Sequence, residues 1–107
     1  MNWQATRGAL KYLGTLHGTG ELLIGADGKS LGAVTYEIDG FVRRTLRSDS
    51  GQIEGPADML QRAFRAGEAC VVLADGQVIE VLLSDPQDAS TTEITIKGGF
   101  PQFHHAE

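Results

Sequence analysis

The 107-residue chain has a formal net charge of −5, 41% hydrophobic residues and one cysteine. This length is typical of a single domain, whose core holds together without disulfides. The acidic balance argues against nucleic-acid binding, because proteins of that class usually carry a net positive charge or a basic stripe. No apolar run approaches the roughly 20 residues of a membrane helix, and the N-terminal sequence lacks a signal-peptide pattern. We therefore expect a cytoplasmic protein with no membrane partner, and the lone Cys70 fits a reducing compartment.

Residues 1–19 carry two overlapping patterns. One has the spacing of a helical face (Trp3, Leu10, Leu13), and the other alternates as a strand does (Leu10, Tyr12, Leu16). We favour an irregular start, then a strand over residues 9–17 with a bulge at Gly14. A turn is predicted at residues 18–20, where two glycines flank a threonine.

Residues 21–42 have the pattern of a β-hairpin. Its turn contains Asp27-Gly28, a pair common in tight turns because glycine readily adopts a positive φ. The return strand alternates an apolar set (Val34, Tyr36, Ile38) with a polar set (Thr35, Glu37, Asp39). This alternation is typical of an antiparallel strand with one buried face, and Gly32 and Gly40 mark bulges or bends at its ends.

Residues 43–54 are predicted as a polar strand, a turn at residues 49–51 and at most a very short strand at residues 52–54. A helix follows over residues 56–66, because Pro56 suits the first helical position and Gly67 suits the position after the last turn. Its apolar stripe contains Leu60, Ala63 and Phe64, with Met59 at the margin.

Residues 68–83 are predicted to form the central hairpin, with its turn at Asp75-Gly76. The first strand is apolar throughout residues 70–73, which predicts deep burial, and Ile79, Val81 and Leu83 alternate in the second. Residues 70–76 (CVVLADG) resemble residues 22–28 (LLIGADG). Either the two hairpins are pseudo-two-fold halves of a barrel, or a good turn sequence occurs twice. A last strand is predicted around Thr92, Ile94 and Ile96.

About six short strands and one helix predict a mainly β fold. We expect a small antiparallel barrel or roll with the helix (56–66) packed on one end. The alternative is an α+β fold with the helix on one face of an open antiparallel sheet. The domain is expected to span residues 1–99, and residues 100–107 form a C-terminal tail.

A basic cluster, Arg43, Arg44 and Arg47, is the candidate ligand-binding site. Arginine binds carboxylate and phosphate groups through two parallel hydrogen bonds, and on one continuous strand Arg43 and Arg47 would share a face. The competing interpretation, which we favour, is a solvated edge strand whose charges prevent edge-to-edge aggregation.

No pattern indicates catalysis, a cofactor or a metal. His104 and His105 are adjacent, so in an extended segment they point apart, and Cys70 and His17 lack the spacing of zinc ligands. Because Cys70 lies in an apolar run, we expect a buried, unreactive thiol. We assign no catalytic residue, cofactor or metal.

Three aromatic residues outside the periodic segments, Trp3, Phe100 and Phe103, are candidates for an interface. We expect a non-enzymatic binding module for another protein or for a second copy of itself, acting through a sheet edge or these aromatics. The alternative is a small-ligand, nucleotide or phosphate-binding domain that uses Arg43, Arg44 and Arg47 at the barrel mouth. An enzyme would need a polar cleft with an activated acid or base, and no spacing in the sequence indicates one.

Overall fold

The computed structural model describes residues 11–43 and 46–97, which form a closed antiparallel barrel of six strands with one helix. The strands are β1 (Lys11–Ile24), β2 (Lys29–Arg43), β3 (Leu46–Glu54), β4 (Ala69–Val72), β5 (Val78–Leu83) and β6 (Thr91–Lys97). The helix, α1 (Ala57–Ala66), connects β3 to β4. The predicted barrel is confirmed and the open-sheet alternative is wrong. The predicted tail at residues 100–107 lies outside the described residues.

The barrel consists of two three-stranded meanders, β1 to β3 and β4 to β6. Its strand order is β1-β2-β3-β6-β5-β4, so exchanging the two meanders leaves the order unchanged. The repeated sequences pair with each other, since Leu22 lies opposite Val71 and Leu23 opposite Cys70. Each repeat ends in a turn that is closed by a hydrogen bond from its Asp-Gly glycine to the carbonyl three residues earlier. The strand order therefore has the two-fold symmetry that the similar hairpins suggested.

The core contains side chains from every strand and from α1. The largest fully buried ones are Leu22, Ile38, Ile53, Leu60, Ile94, Val34, Val71 and Val81. The predicted alternation is confirmed in β2 and β5, where inward residues are buried and outward ones exposed, except that Asp39 and Leu83 are half-buried. Residues 70–73 are buried only in part, because a strand turns alternate residues to opposite faces. Val71 and Leu73 are buried, whereas Cys70 and Val72 are half-buried.

Helix α1 packs on the barrel through contacts with β1, β4, β5 and β6. The carbonyl of Pro56 accepts hydrogen bonds from the first turn, and Gly67 ends the helix with φ +85°. The buried residues of α1 are Met59, Leu60 and Ala63, so the apolar stripe lies nearer Met59 than predicted and Phe64 is half-buried. Within the described residues, no helix is long and apolar enough to cross a bilayer.

Two predicted turns are wrong, because β1 runs straight through residues 18–20 and β3 straight through residues 49–51. The glycines there allow neighbouring backbones to approach closely. A Cβ atom on Gly20 would lie 2.3 Å from the carbonyl oxygen of Val72. Chain reversal occurs instead between β2 and β3, where Arg43 pairs with Leu46. Register shifts beside Gly14 and Gly32 confirm the bulges predicted at those two glycines.

The first meander extends beyond the closed part of the barrel. β1 pairs with β2 along its whole length but with β4 only over residues 21–24. β3 pairs with β6 over residues 50–54. The strands β1, β2, β3 and β6 therefore form one continuous stretch of sheet in which each strand pairs with the next.

Candidate functional site

The outward residues of β1, β2, β3 and β6 form three rows that run across the four strands. The register gives the rows Thr19-Thr35-Glu54-Thr91, His17-Glu37-Gln52-Glu93 and Thr15-Asp39-Ser50-Thr95. We call these residues the polar face. All of them are exposed or half-buried and none is apolar. The face arises because each of these strands alternates apolar residues inward with polar residues outward.

Two grooves that share lining residues lie on the polar face. The larger has a volume of about 550 Å³ and includes His17, Glu37 and Gln52 in its lining. The smaller, about 420 Å³, lies towards β6 and includes Glu93. Both grooves are lined by Glu37 and Gln52, so these two residues mark the centre of the combined depression.

The polar face is strongly acidic. It carries four carboxylates, Glu37, Asp39, Glu54 and Glu93. Three of them surround Gln52, because Glu37 and Glu93 lie directly opposite it and Glu54 lies two residues along β3. Directly opposed residues have Cβ atoms about 5 Å apart and diagonal neighbours about 7–8 Å. The geometry thus concentrates negative charge around one amide side chain.

Hydrogen bonds fix part of the face. The Thr15 hydroxyl donates to Asp39 Oδ1 at 2.5 Å, and the Tyr12 hydroxyl bonds to Thr15 in turn. Asp39 is therefore tied to β1. His17 lies directly opposite Glu37, and it is the one residue of the polar face that can carry a positive charge.

Beneath the face, Tyr36 holds the two meanders together. Its ring is buried, and its hydroxyl accepts a hydrogen bond of 2.8 Å from the Ala74 N–H in the β4–β5 turn. Gly18 and Gly20 on β1 leave room for the ring, since a Cβ on Gly18 would lie 3.0 Å from the Tyr36 hydroxyl. Tyr36 thus supports β2, the strand that carries Thr35 and Glu37.

Two of the three arginines of the predicted cluster lie on different strands. Arg43 ends β2, Arg47 lies in β3, and Arg44 falls outside the described residues. Arg43 pairs with Leu46, whereas Arg47 pairs with Val42. The ligand-binding role of Arg43, Arg44 and Arg47 remains a prediction.

The predicted interface residues Trp3, Phe100 and Phe103 all lie outside the described residues, so that interface remains a prediction. The polar face itself was not predicted. Its signal was present in each strand as an outward polar set, but the sequence did not show which strands lie side by side.

The thiol of Cys70 lies on the opposite side of the barrel, beside a cavity of about 210 Å³ that includes Glu68, Glu80 and Lys97 in its lining. Burial raises the pKa of the Cys70 thiol, the carboxylates of Glu80 and Glu68 raise it further, and Lys97 opposes them. A protonated thiol is a poor nucleophile. Among the described residues, no three His, Cys, Asp or Glu side chains are grouped closely enough to hold a metal ion.

The chain matches no known family model, and no curated protein or solved structure is detectably similar to it. Because one fold serves many functions, the barrel alone does not identify the function, and the polar face is the feature that bears on it.

Proposed function

We propose that this protein is a non-catalytic binding module whose polar face takes up a lysine- or arginine-bearing segment of another protein. The observation that carries the proposal is the pair of grooves that share Glu37 and Gln52 in their lining. Glu54 and Glu93 complete the ring of carboxylates around Gln52. A segment lying across the strands would meet carboxylates at successive steps.

The chemistry of the grooves favours a cationic partner. Carboxylates accept short, charge-assisted hydrogen bonds from guanidinium and ammonium groups, and the threonine hydroxyls beside them accept or donate further bonds. The carboxylates around Gln52 lie diagonally from one another or two strands apart. Their mutual repulsion is expected to reduce stability, a cost that is typical of functional surfaces.

Other ligand classes fit the polar face less well. A phosphate group would be repelled by the four carboxylates of the face. The phosphate-binding alternative would therefore depend on the predicted cluster of Arg43, Arg44 and Arg47. The same experiment can separate the two proposals.

The test is a titration of the ¹⁵N-labelled protein with decapeptides of oligolysine and oligoglutamate and with tripolyphosphate. We expect oligolysine to shift amides of β1, β2, β3 and β6, with an affinity that falls steeply with salt. The double variant Glu37→Gln, Glu54→Gln should bind at least about tenfold more weakly, the equivalent of about 1.4 kcal/mol. The matched control is Glu80→Gln, an exposed carboxylate on β5 outside both grooves.

Two results would overturn the proposal. One is no binding of oligolysine at millimolar concentration in low salt. The other is an equal loss of affinity in the Glu80→Gln control, which would show attraction to overall negative charge alone. Binding of tripolyphosphate with shifts at Arg43 and Arg47 would support the alternative function instead.

A further inference from the structure

We infer that His17 makes the polar face sensitive to pH, so that a bound cationic segment is released when the solution becomes mildly acidic. The inference rests on the proposed function and adds its regulation. Its basis is the direct pairing of His17 with Glu37 in the register of β1 and β2. Both residues are exposed and both line the larger groove.

In the strand register, Glu37 is the carboxylate nearest to His17. On β2, Asp39 is diagonal to His17 and accepts the hydrogen bond from Thr15. On β3, Glu54 is one strand further away and pairs with Thr35. On the other side of β1 lies the β4–β5 turn, where the Asp75 carboxylate accepts hydrogen bonds from the backbone and side-chain amides of Gln77 at 3.0 and 2.6 Å.

The switch follows from the charge that histidine gains between about pH 8 and pH 5. With a neutral imidazole, Glu37 presents its full charge to an arriving ammonium or guanidinium group. With a protonated imidazole, a cation of the protein itself lies beside Glu37 and competes with the ligand. Proton binding and ligand binding then oppose each other. By linkage, each must weaken the other by the same factor.

This coupling has a measurable consequence. The affinity for oligolysine should fall about fivefold between pH 7.5 and pH 5.5, a factor at the lower end of typical couplings. Working above pH 5.5 keeps ordinary carboxylates ionised, since their usual pKa values lie near 4.

The experiment measures oligolysine binding by calorimetry at pH 7.5, 6.5 and 5.5. It uses the wild type and the single variants His17→Gln and His17→Lys. The control is one double variant, His104→Gln with His105→Gln, which removes the other two histidines. We expect the wild type and the control to lose about fivefold in affinity. His17→Gln should stay within about twofold, and His17→Lys should bind weakly at every pH.

If oligolysine binds at pH 7.5 and its affinity falls equally on acidification in the wild type and in His17→Gln, the inference is overturned and the proposed function is left intact. Binding of the wild type that does not change with pH would do the same. Absence of binding at pH 7.5 in every variant would instead contradict the proposed function, and the inference with it. Circular dichroism of each variant confirms that the exposed substitution leaves the barrel folded.

Discussion

A Cβ atom on Gly51 would lie 2.1 Å from the carbonyl oxygen of Glu37, so β3 reaches β2 at this point only because residue 51 has no side chain. We predict that Gly51→Ala forces the two backbones apart and lowers the free energy of unfolding. Overpacking against a backbone that cannot move should cost about 3 kcal/mol. Equilibrium unfolding in urea measures the loss.

Gly55→Ala is the matched control for this prediction. A Cβ there would meet Val34 Cγ1 at 3.0 Å and Met59 Cε at 3.1 Å, and the Met59 side chain can rearrange. Its cost should stay below about 1.5 kcal/mol. Equal losses at Gly51 and Gly55 would show that the close approach of β2 and β3 does not require glycine.

The helix provides a second prediction. Leu60 is fully buried, so Leu60→Ala should lower the free energy of unfolding by about 2–5 kcal/mol through the cavity it leaves. Phe64 is half-buried, so Phe64→Ala should cost distinctly less, on the order of 1–2 kcal/mol. Urea unfolding of both variants compares the sites. A larger loss at Phe64 would contradict the packing of α1 described above.

These cases show which parts of the fold are visible in the sequence. Alternation is a local property of a strand, so the burial of Tyr36 and the exposure of Glu37 could be predicted from the sequence. Glycine is ambiguous, because it serves both chain reversal and close approach of backbones. At Gly76 it reverses the chain with φ +92°, whereas at Gly20 and Gly51 it lets strands approach. Only the neighbouring strand distinguishes these roles.

The candidate site was less predictable for the same reason. The polar residues of β2 were visible as an outward set, but Gln52 and Glu93 become neighbours only through the pairing of β3 with β6. That pairing joins the two meanders and has no local signature. The converse also occurs, since Arg43 and Arg47 are close in sequence but lie on two different strands.

A third prediction concerns Cys70. Burial and the nearby carboxylates of Glu80 and Glu68 raise the pKa of its thiol, so the reactive thiolate is scarcer than for an ordinary cysteine at the same pH. Alkylation by iodoacetamide, followed by mass spectrometry from pH 7 to 10, should reach half its maximal rate at a higher pH in the folded protein than in urea. Glu80→Gln should move that midpoint back towards the ordinary value.

Glu37→Gln, on the opposite side of the barrel, is the control for the Cys70 experiment and should leave the alkylation profile unchanged. An alkylation midpoint in the folded protein at or below that in urea would contradict the environment assigned to Cys70.

A fourth prediction tests whether the acidic ring around Gln52 reduces stability. Glu37 and Glu93 lie on either side of Gln52 and Glu54 lies diagonally from both, so each carboxylate raises the electrostatic energy of the others. Glu37→Gln should therefore increase the free energy of unfolding by about 0.2–1 kcal/mol at low ionic strength.

The increase should vanish in about 1 M salt, where the screening length falls to roughly 3 Å. Glu80→Gln is the matched control, because Glu80 pairs with Lys97 on β6 and its neutralisation removes an attraction. Thermal unfolding at both salt concentrations measures the two effects. If Glu37→Gln destabilises the protein at low salt, then Glu37 stabilises the fold, and the repulsion assigned to the carboxylates around Gln52 is contradicted.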